Sequence, residues 1–216
     1  MPDYSFIVGN AGFLFDGLLL SLTLTLSGVI GGLAVGTALA LVRLFTGVIG
    51  NYAVDAYVFV FRAIPLILVI FWFYFMVPLI LGRPVGAWTS AITAFTLFEG
   101  AYYSEILRAG LKSVRPGQLN AAFAGGMSRA QALRYVIFPQ AFAAMIPIFL
   151  TQAIILFQDT SLVFVVSLHD FLTATTVIAN RDGRLIEAYT FACLVYYLIC
   201  LAATVGVEKL KGTFAR

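Results

Sequence analysis

The chain has 216 residues, of which 62% are apolar and only 11% charged, with a mean hydropathy of +1.00 and a formal net charge of +3. Soluble domains carry about 25% charged residues, so this composition excludes an ordinary soluble enzyme or binding module and marks an integral membrane protein. The thirteen Lys and Arg residues sit in segments beside apolar runs rather than in one patch, which argues against a nucleic-acid surface.

Residues 1–16 hold Asp3 and no cationic run, so they do not resemble a cleaved secretory leader and read as a short external segment. From Gly17 to Val42 no charged residue occurs. About 20 such residues already cross the hydrocarbon core, so this is the first transmembrane helix. Along it Gly28, Gly32 and Gly36 form a doubled G-x-x-x-G stripe that lets another helix approach closely, as a static contact or a moving one. Gly47, Gly50 and Asn51 predict a turn over 46–55. Tyr57 to Leu81 reads as a second helix, interrupted by Pro65, which has no amide to donate. Arg62 lies just inside the cytoplasmic end of that helix. It either snorkels to the headgroups or lines the inner mouth of a pathway and attracts an anionic solute.

Gly82, Arg83 and Pro84 make an outward turn, and Val85 to Arg108 reads as a third helix with Glu99 near its middle. A carboxylate at that depth is costly and faces a cavity or a partner rather than lipid. It could meet a substrate ammonium or make a helix–helix hydrogen bond. Glu105 and Arg108, one turn apart, read as an exposed ion pair at the start of the following loop. Residues 105–141 are the longest polar interruption and carry Arg108, Lys112, Arg115, Arg129 and Arg134. Such cationic segments resist translocation, so this one belongs in the cytoplasm. Ser128 and Gln131 have capping-box spacing just after Gly125-Gly126, which predicts two short helices with a glycine break.

Pro139 and Pro147 bracket the start of a fourth span that reaches Phe157. Asp159, Thr160 and Ser161 near its outer end could bind the amino group of a solute or cap local helix structure. Residues 162–187 contain an uncharged run too short to cross, so a re-entrant or interfacial helix is expected, with His169 and Asp170 as a solvated outer pair. Ala188 to Val207 is the fifth helix and 208–216 a cytoplasmic tail. This arrangement puts ten of the thirteen cations inside, with the N-terminus outside and the C-terminus inside. Cys193 and Cys200 share one helical face and are expected to be buried packing residues. Neither has the company of a metal ligand set, so no metal site is expected. A lone histidine supplies no nucleophile and base pair at membrane depth, so no catalytic residue is assigned. The chain also lacks a phosphate-gripping G-x-x-x-x-G-K-[ST] loop, so uphill transport would draw its energy from another subunit.

Asn120-Ala121-Ala122, then three residues and Gly126, then nine residues and Val136-Ile137-Phe138-Pro139, resembles the EAA loop of bacterial ABC importer permeases. The words FRAIP at 61–65, AYYSEILRAG at 101–110 and FQDTSL at 157–162 resemble the polar amino-acid branch of that family, nearest its glutamate/aspartate permeases. Asn120 stands where the family has glutamate, which removes a carboxylate, and Phe138 where it has leucine, which keeps an apolar anchor.

The resemblance implies an all-α, five-helix type I permease fold over 17–207, with a coupling loop at 109–139 formed by Asn120, Ala121, Ala122, Gly126, Ser128 and Pro139. It further implies a multi-pass protein of the bacterial inner membrane, surrounded by lipid. Its expected partners are an ABC ATPase dimer, a second permease that is identical or related, and an external amino-acid-binding protein. The ATPase consumes the ATP, and this chain binds no cofactor. Arg62, Glu99, Asp159 and Ser161 are the candidate pathway residues. Glutamate or aspartate is the expected cargo, with glutamine, arginine or histidine as alternatives. A secondary transporter or channel is the alternative class.

Overall fold

The computed structural model describes residues 5–214, and these are helical nearly throughout. Residues 1–4 of the expected external segment and residues 215–216 of the tail lie outside the described residues. A short helix α1 (Ser5–Gly9) leads into α2 (Ala11–Phe45), whose 35 residues run about 52 Å at 1.5 Å each. The buried residues of α2 are Leu14, Gly17, Ser21, Leu24, Gly28, Gly32 and Gly36, a single stripe at three- and four-residue spacing. That stripe seats α2 against α6 (Ala87–Ser113), where Ser90, Phe95, Phe98, Glu99, Tyr103 and Ser104 are among the buried residues.

The glycines set the closeness of this contact. A β-carbon on Gly32 would lie 2.5 Å from the Glu99 Cβ, and one on Gly36 would meet the Ser104 backbone nitrogen at 2.9 Å. The doubled G-x-x-x-G stripe is therefore a packed interface.

The expected turn over 46–55 is much shorter in the structure. α2 ends at Thr46, Gly47 takes φ +63°, and helix α3 (Gly47–Ala63) starts at once, with Asn51 bonded back to the Gly47 carbonyl. Pro65 does more than interrupt a span. The chain bends by 103° between α3 and the segment Leu66–Leu81. That segment comprises α4 (Leu66–Phe71), a π-helical turn at Trp72–Met76 and α5 (Val77–Leu81). Asp55 and Arg62, seven residues apart on α3, border one cavity with Glu105 and Arg108 of α6.

α7 (Pro116–Ala124) and α8 (Arg129–Ala132) form the polar loop, and a π-helical turn at Leu133–Ile137 feeds α9 (Phe138–Asp159), which contains Pro147. A 3₁₀ segment (Thr160–Val166) joins α9 to the short α10 (Phe171–Asp182), which is followed by α11 (Leu185–Phe214). Among the described residues, three helical stretches are long and apolar enough to cross a membrane, and a fourth is counted if the bent pair is one span. α6 is long enough but too rich in Ser, Thr, Tyr and Glu to pass on apolarity. Its neighbours in this bundle are other helices rather than lipid, which removes the need for an apolar surface.

The expectation of a solvated His169–Asp170 pair is corrected. Asp170 is fully buried and caps α10, accepting from the Leu172 and Thr173 amides at 3.0 and 3.1 Å, while His169 is exposed beside the Phe13 ring. Ser21 of α2 accepts the Phe171 amide at 3.2 Å, so the start of α10 is pinned against the first helix. The cysteines also differ from expectation: Cys193 is exposed and Cys200 half-buried, the latter beside the Gln158 amide at 3.4 Å.

Candidate functional site

The loop at the end of α6 is built by two adjacent signals, one that stops a helix and one that starts the next. α7 ends in a Schellman motif, with the Gly126 amide bonded to the Phe123 carbonyl at 3.0 Å and the Met127 amide to the Ala122 carbonyl at 3.1 Å. Gly126 takes φ +80°, a conformation that residues with a β-carbon rarely adopt. Two residues later Ser128 opens α8 with a complete capping box: its hydroxyl accepts from the Gln131 amide, and the Gln131 side chain accepts from the Ser128 amide at 2.9 Å. The two short helices and the glycine break match the reading of the sequence.

Ala122 is the buried anchor of α7, whereas Asn120 and Ala121 are exposed. The loop's outer face carries Phe123, Met127, Tyr135 and Phe138, all exposed, with Arg134 lying over the Tyr135 ring. Apolar and cationic groups displayed together on a short, capped scaffold suit a protein partner better than water alone. Pro139 is exposed just after the π-helical turn, within the continuous helical stretch Arg129–Val166, where its missing amide removes a bond from the ladder.

The four candidate pathway residues fall in three places. Glu99 is fully buried at the α2–α6 contact. One of its oxygens accepts the Gln152 side-chain amide of α9 at 3.1 Å; the other has no well-formed hydrogen bond among the described residues, nor has the Tyr103 hydroxyl one turn on. Asp159 lies two turns along α9 from Gln152, the partner of Glu99, and is half-buried. Asp159 caps nothing, while Thr160 and Ser161 bond back to the Phe157 and Gln158 carbonyls and tighten the chain into its 3₁₀ turn. Ser161 borders a cavity of about 300 Å³ together with Gln158, Tyr189 and Tyr196.

Arg62 is apart from these, at the loop end, in a cavity of about 460 Å³. Its guanidinium lies 5.1 Å from the Tyr102 ring centre, a cation–π contact that holds the charge without neutralising it. Glu105 in the same cavity is not the exposed partner of Arg108 alone. Its side chain is 18% exposed and also receives Arg43 at 2.9 Å. Gln152, Tyr103 and Arg43 were not singled out from the sequence. The seven-residue interval from Gln152 to Asp159 was the available signal for the first, since it puts both on one face of α9.

Residues 28–210 match the family described as binding-protein-dependent transport system inner membrane component. The chain belongs to this family. It is 46% identical to the glutamate/aspartate import permease protein GltK of Escherichia coli O157:H7 over 216 residues, covering 97% of this chain and 96% of that protein. It is also 32% identical to the probable glutamine ABC transporter permease protein GlnP of Bacillus subtilis, with 94% of each chain covered. Among solved structures, an amino acid ABC transporter determined with histidines aligns over 99% of both chains with a TM-score of 0.91 at 27% identity. The MetNI methionine ABC transporter shares the fold at a TM-score of 0.71 and 19% identity. The chain is thus an inner membrane transport component with the fold of an ABC importer permease.

Proposed function

We propose that this chain is the permease subunit of an ATP-driven importer that carries glutamate or aspartate across the bacterial inner membrane. The observation that carries the reading is the capped loop between α6 and α9, with its conformationally obligate Gly126 and its exposed Phe123, Met127 and Tyr135. A groove on a separate ATPase receives the loop, as grooves receive short amphipathic helices. The partner's nucleotide cycle then biases the bundle between inward- and outward-facing states by its difference in affinity for the two. ATP is bound by that partner and not by this chain. Five spans, with the N-terminus outside, put the loop and the C-terminal tail in the cytoplasm.

The bundle is completed by a second permease, and an external binding protein delivers the cargo. Glu99 of α6, bonded to Gln152, and Asp159, two turns further along α9, offer two carboxyl groups to the ammonium of an amino acid. Arg62, held over Tyr102, draws the acidic side chain toward the inner mouth. Ser161 lines the outer part of the route. Acidic cargo is favoured by the 46% identity to GltK, a name that specifies glutamate and aspartate.

The test is uptake of labelled glutamate by vesicles containing this chain, its partner permease and the ATPase, with the binding protein outside and ATP enclosed. Uptake is expected only with ATP, and aspartate should compete better than glutamine, arginine or histidine. Equal uptake without nucleotide would overturn the reading in favour of a secondary transporter or channel. Arg62→Ala is expected to lower glutamate uptake about tenfold with assembly intact. Equal uptake at matched protein level would remove Arg62 from the route.

A further inference from the structure

Arg43 is close to the last residue of α2, and its side chain is only 12% exposed. Its two terminal nitrogens reach two different helices: one meets Asp55 of α3 at 2.6 Å, the other Glu105 of α6 at 2.9 Å. Glu105 is held from its other side by the Arg108 Nε, 3.0 Å from both carboxylate oxygens. A guanidinium has the fixed fork for such a bridge, whereas a lysine has a single ammonium centre.

The position of this bridge matters as much as its geometry. The glycine contact between α2 and α6 ends at Gly36, nearly two turns before Arg43. Beyond it α6 continues to Ser113, and α7 starts at Pro116. On α6 the bridge lands at Glu105, next to Ser104 of the packed interface and about two turns before the helix ends at Ser113, so it borders that interface on the side facing the loop. α3 is joined here too, through Asp55 and through the packing of Val54 and Val58 on Leu39 and Ala101.

We propose that Arg43 is a positioning residue for energy coupling: it ties the end of α2 and the middle of α3 to the helix that enters the loop, so that displacement of the loop moves all three together. This rests on the reading that the loop receives the motion of an ATPase. The Glu105 arm is the principal joint, because Asp55 is 60% exposed and its pairing is screened by water.

The test uses the assembled transporter in lipid vesicles, comparing wild type with Arg43→Gln, Arg43→Lys and Asp55→Asn. Two quantities are read: glutamate taken up per ATP hydrolysed, and the ATPase rate with and without loaded binding protein. Arg43→Gln is expected to lower uptake per ATP at least fivefold while the unstimulated ATPase rate stays within twofold of wild type. Arg43→Lys should fall between the two, and Asp55→Asn should lose less than Arg43→Gln. A residue that only holds the fold would lower uptake and hydrolysis together, in step with recovered complex; an unchanged ratio would overturn the proposal. If Arg43→Gln does not assemble, Glu105→Gln reads the same joint from its other side, and an unchanged ratio there would also overturn it. Wild-type uptake that needs no ATP would instead sink the coupling reading itself.

Discussion

Glu99 and Glu105 stand six residues apart on one helix and have opposite circumstances. Glu105, near the end that enters the loop, is met by two guanidiniums, Arg43 at 2.9 Å and Arg108 at 3.0 Å. Glu99, six residues earlier, is fully buried; among the described residues its well-formed hydrogen bond comes from Gln152, the Tyr103 hydroxyl is nearby, and no salt bridge reaches it. The first is a paired group whose removal costs some stability. The second is under-satisfied, and a buried carboxylate with one partner is expensive to retain unless it serves function. The difference teaches that charge in a membrane bundle has to be judged by its partners rather than by its depth.

Three substitutions sharpen or break this contrast, in decreasing order of expected effect on stability. Gly32→Val drives a side chain into the seat of Glu99, where even a β-carbon would lie 2.5 Å from the Glu99 Cβ and 3.0 Å from the Tyr103 ring. Overpacking of this kind costs about 3 kcal/mol, so the melting temperature of the purified protein and its membrane yield should both fall sharply. An unaffected protein would show that α2 and α6 are not packed this closely.

Glu105→Gln removes the carboxylate shared by Arg43 and Arg108 and leaves both arginines half-buried. Breaking a fully buried pair costs 3–5 kcal/mol and an exposed one almost nothing, so about 1–2 kcal/mol is expected at this intermediate exposure. Denaturation in mild detergent checks the figure. Glu99→Gln should behave the other way. Its amide oxygen can still accept from Gln152, so stability should change by less than about 1 kcal/mol. If Glu99 takes the proposed place in the route, uptake should drop at least tenfold, because glutamine cannot offer a carboxyl group to a substrate ammonium. If Glu99→Gln instead destabilises the protein as much as Glu105→Gln and leaves uptake per folded molecule unchanged, the two glutamates play one structural role and the contrast fails.

Much of this was legible in the sequence because the deciding signals are local. The glycines at 28, 32 and 36 fall on one helical face, and each packs closely on α6 or its neighbours. Ser128 and Gln131 are three residues apart and form the capping box their spacing predicts. The missed features depend on contacts between distant parts of the chain. Arg43 meets Glu105 across 62 residues, and neither residue type announces such a partner.

The course of α3 was misread because Gly47, Gly50 and Asn51 are turn formers, yet Gly50 is buried against the Thr46 side chain and Asn51 bonds within the helix. Asp170 looked like a surface residue beside His169. Its carboxylate is spent on the amides of α10, and the bundle closes over it. The partners of Arg62 and Glu99 are likewise distant in sequence, since only the folded bundle brings Gln152 to Glu99 and Arg62 to Tyr102.

The account stands on which side of the membrane the capped loop faces. The direct measurement replaces Cys193 and Cys200 with serine, introduces a single cysteine at the exposed Asn120, and applies a membrane-impermeant thiol reagent to vesicles of known orientation. Labelling is expected in inside-out vesicles and not in right-side-out ones. Labelling of intact right-side-out vesicles would put the loop outside the cell, beyond the reach of any cytoplasmic ATPase, and would contradict the account.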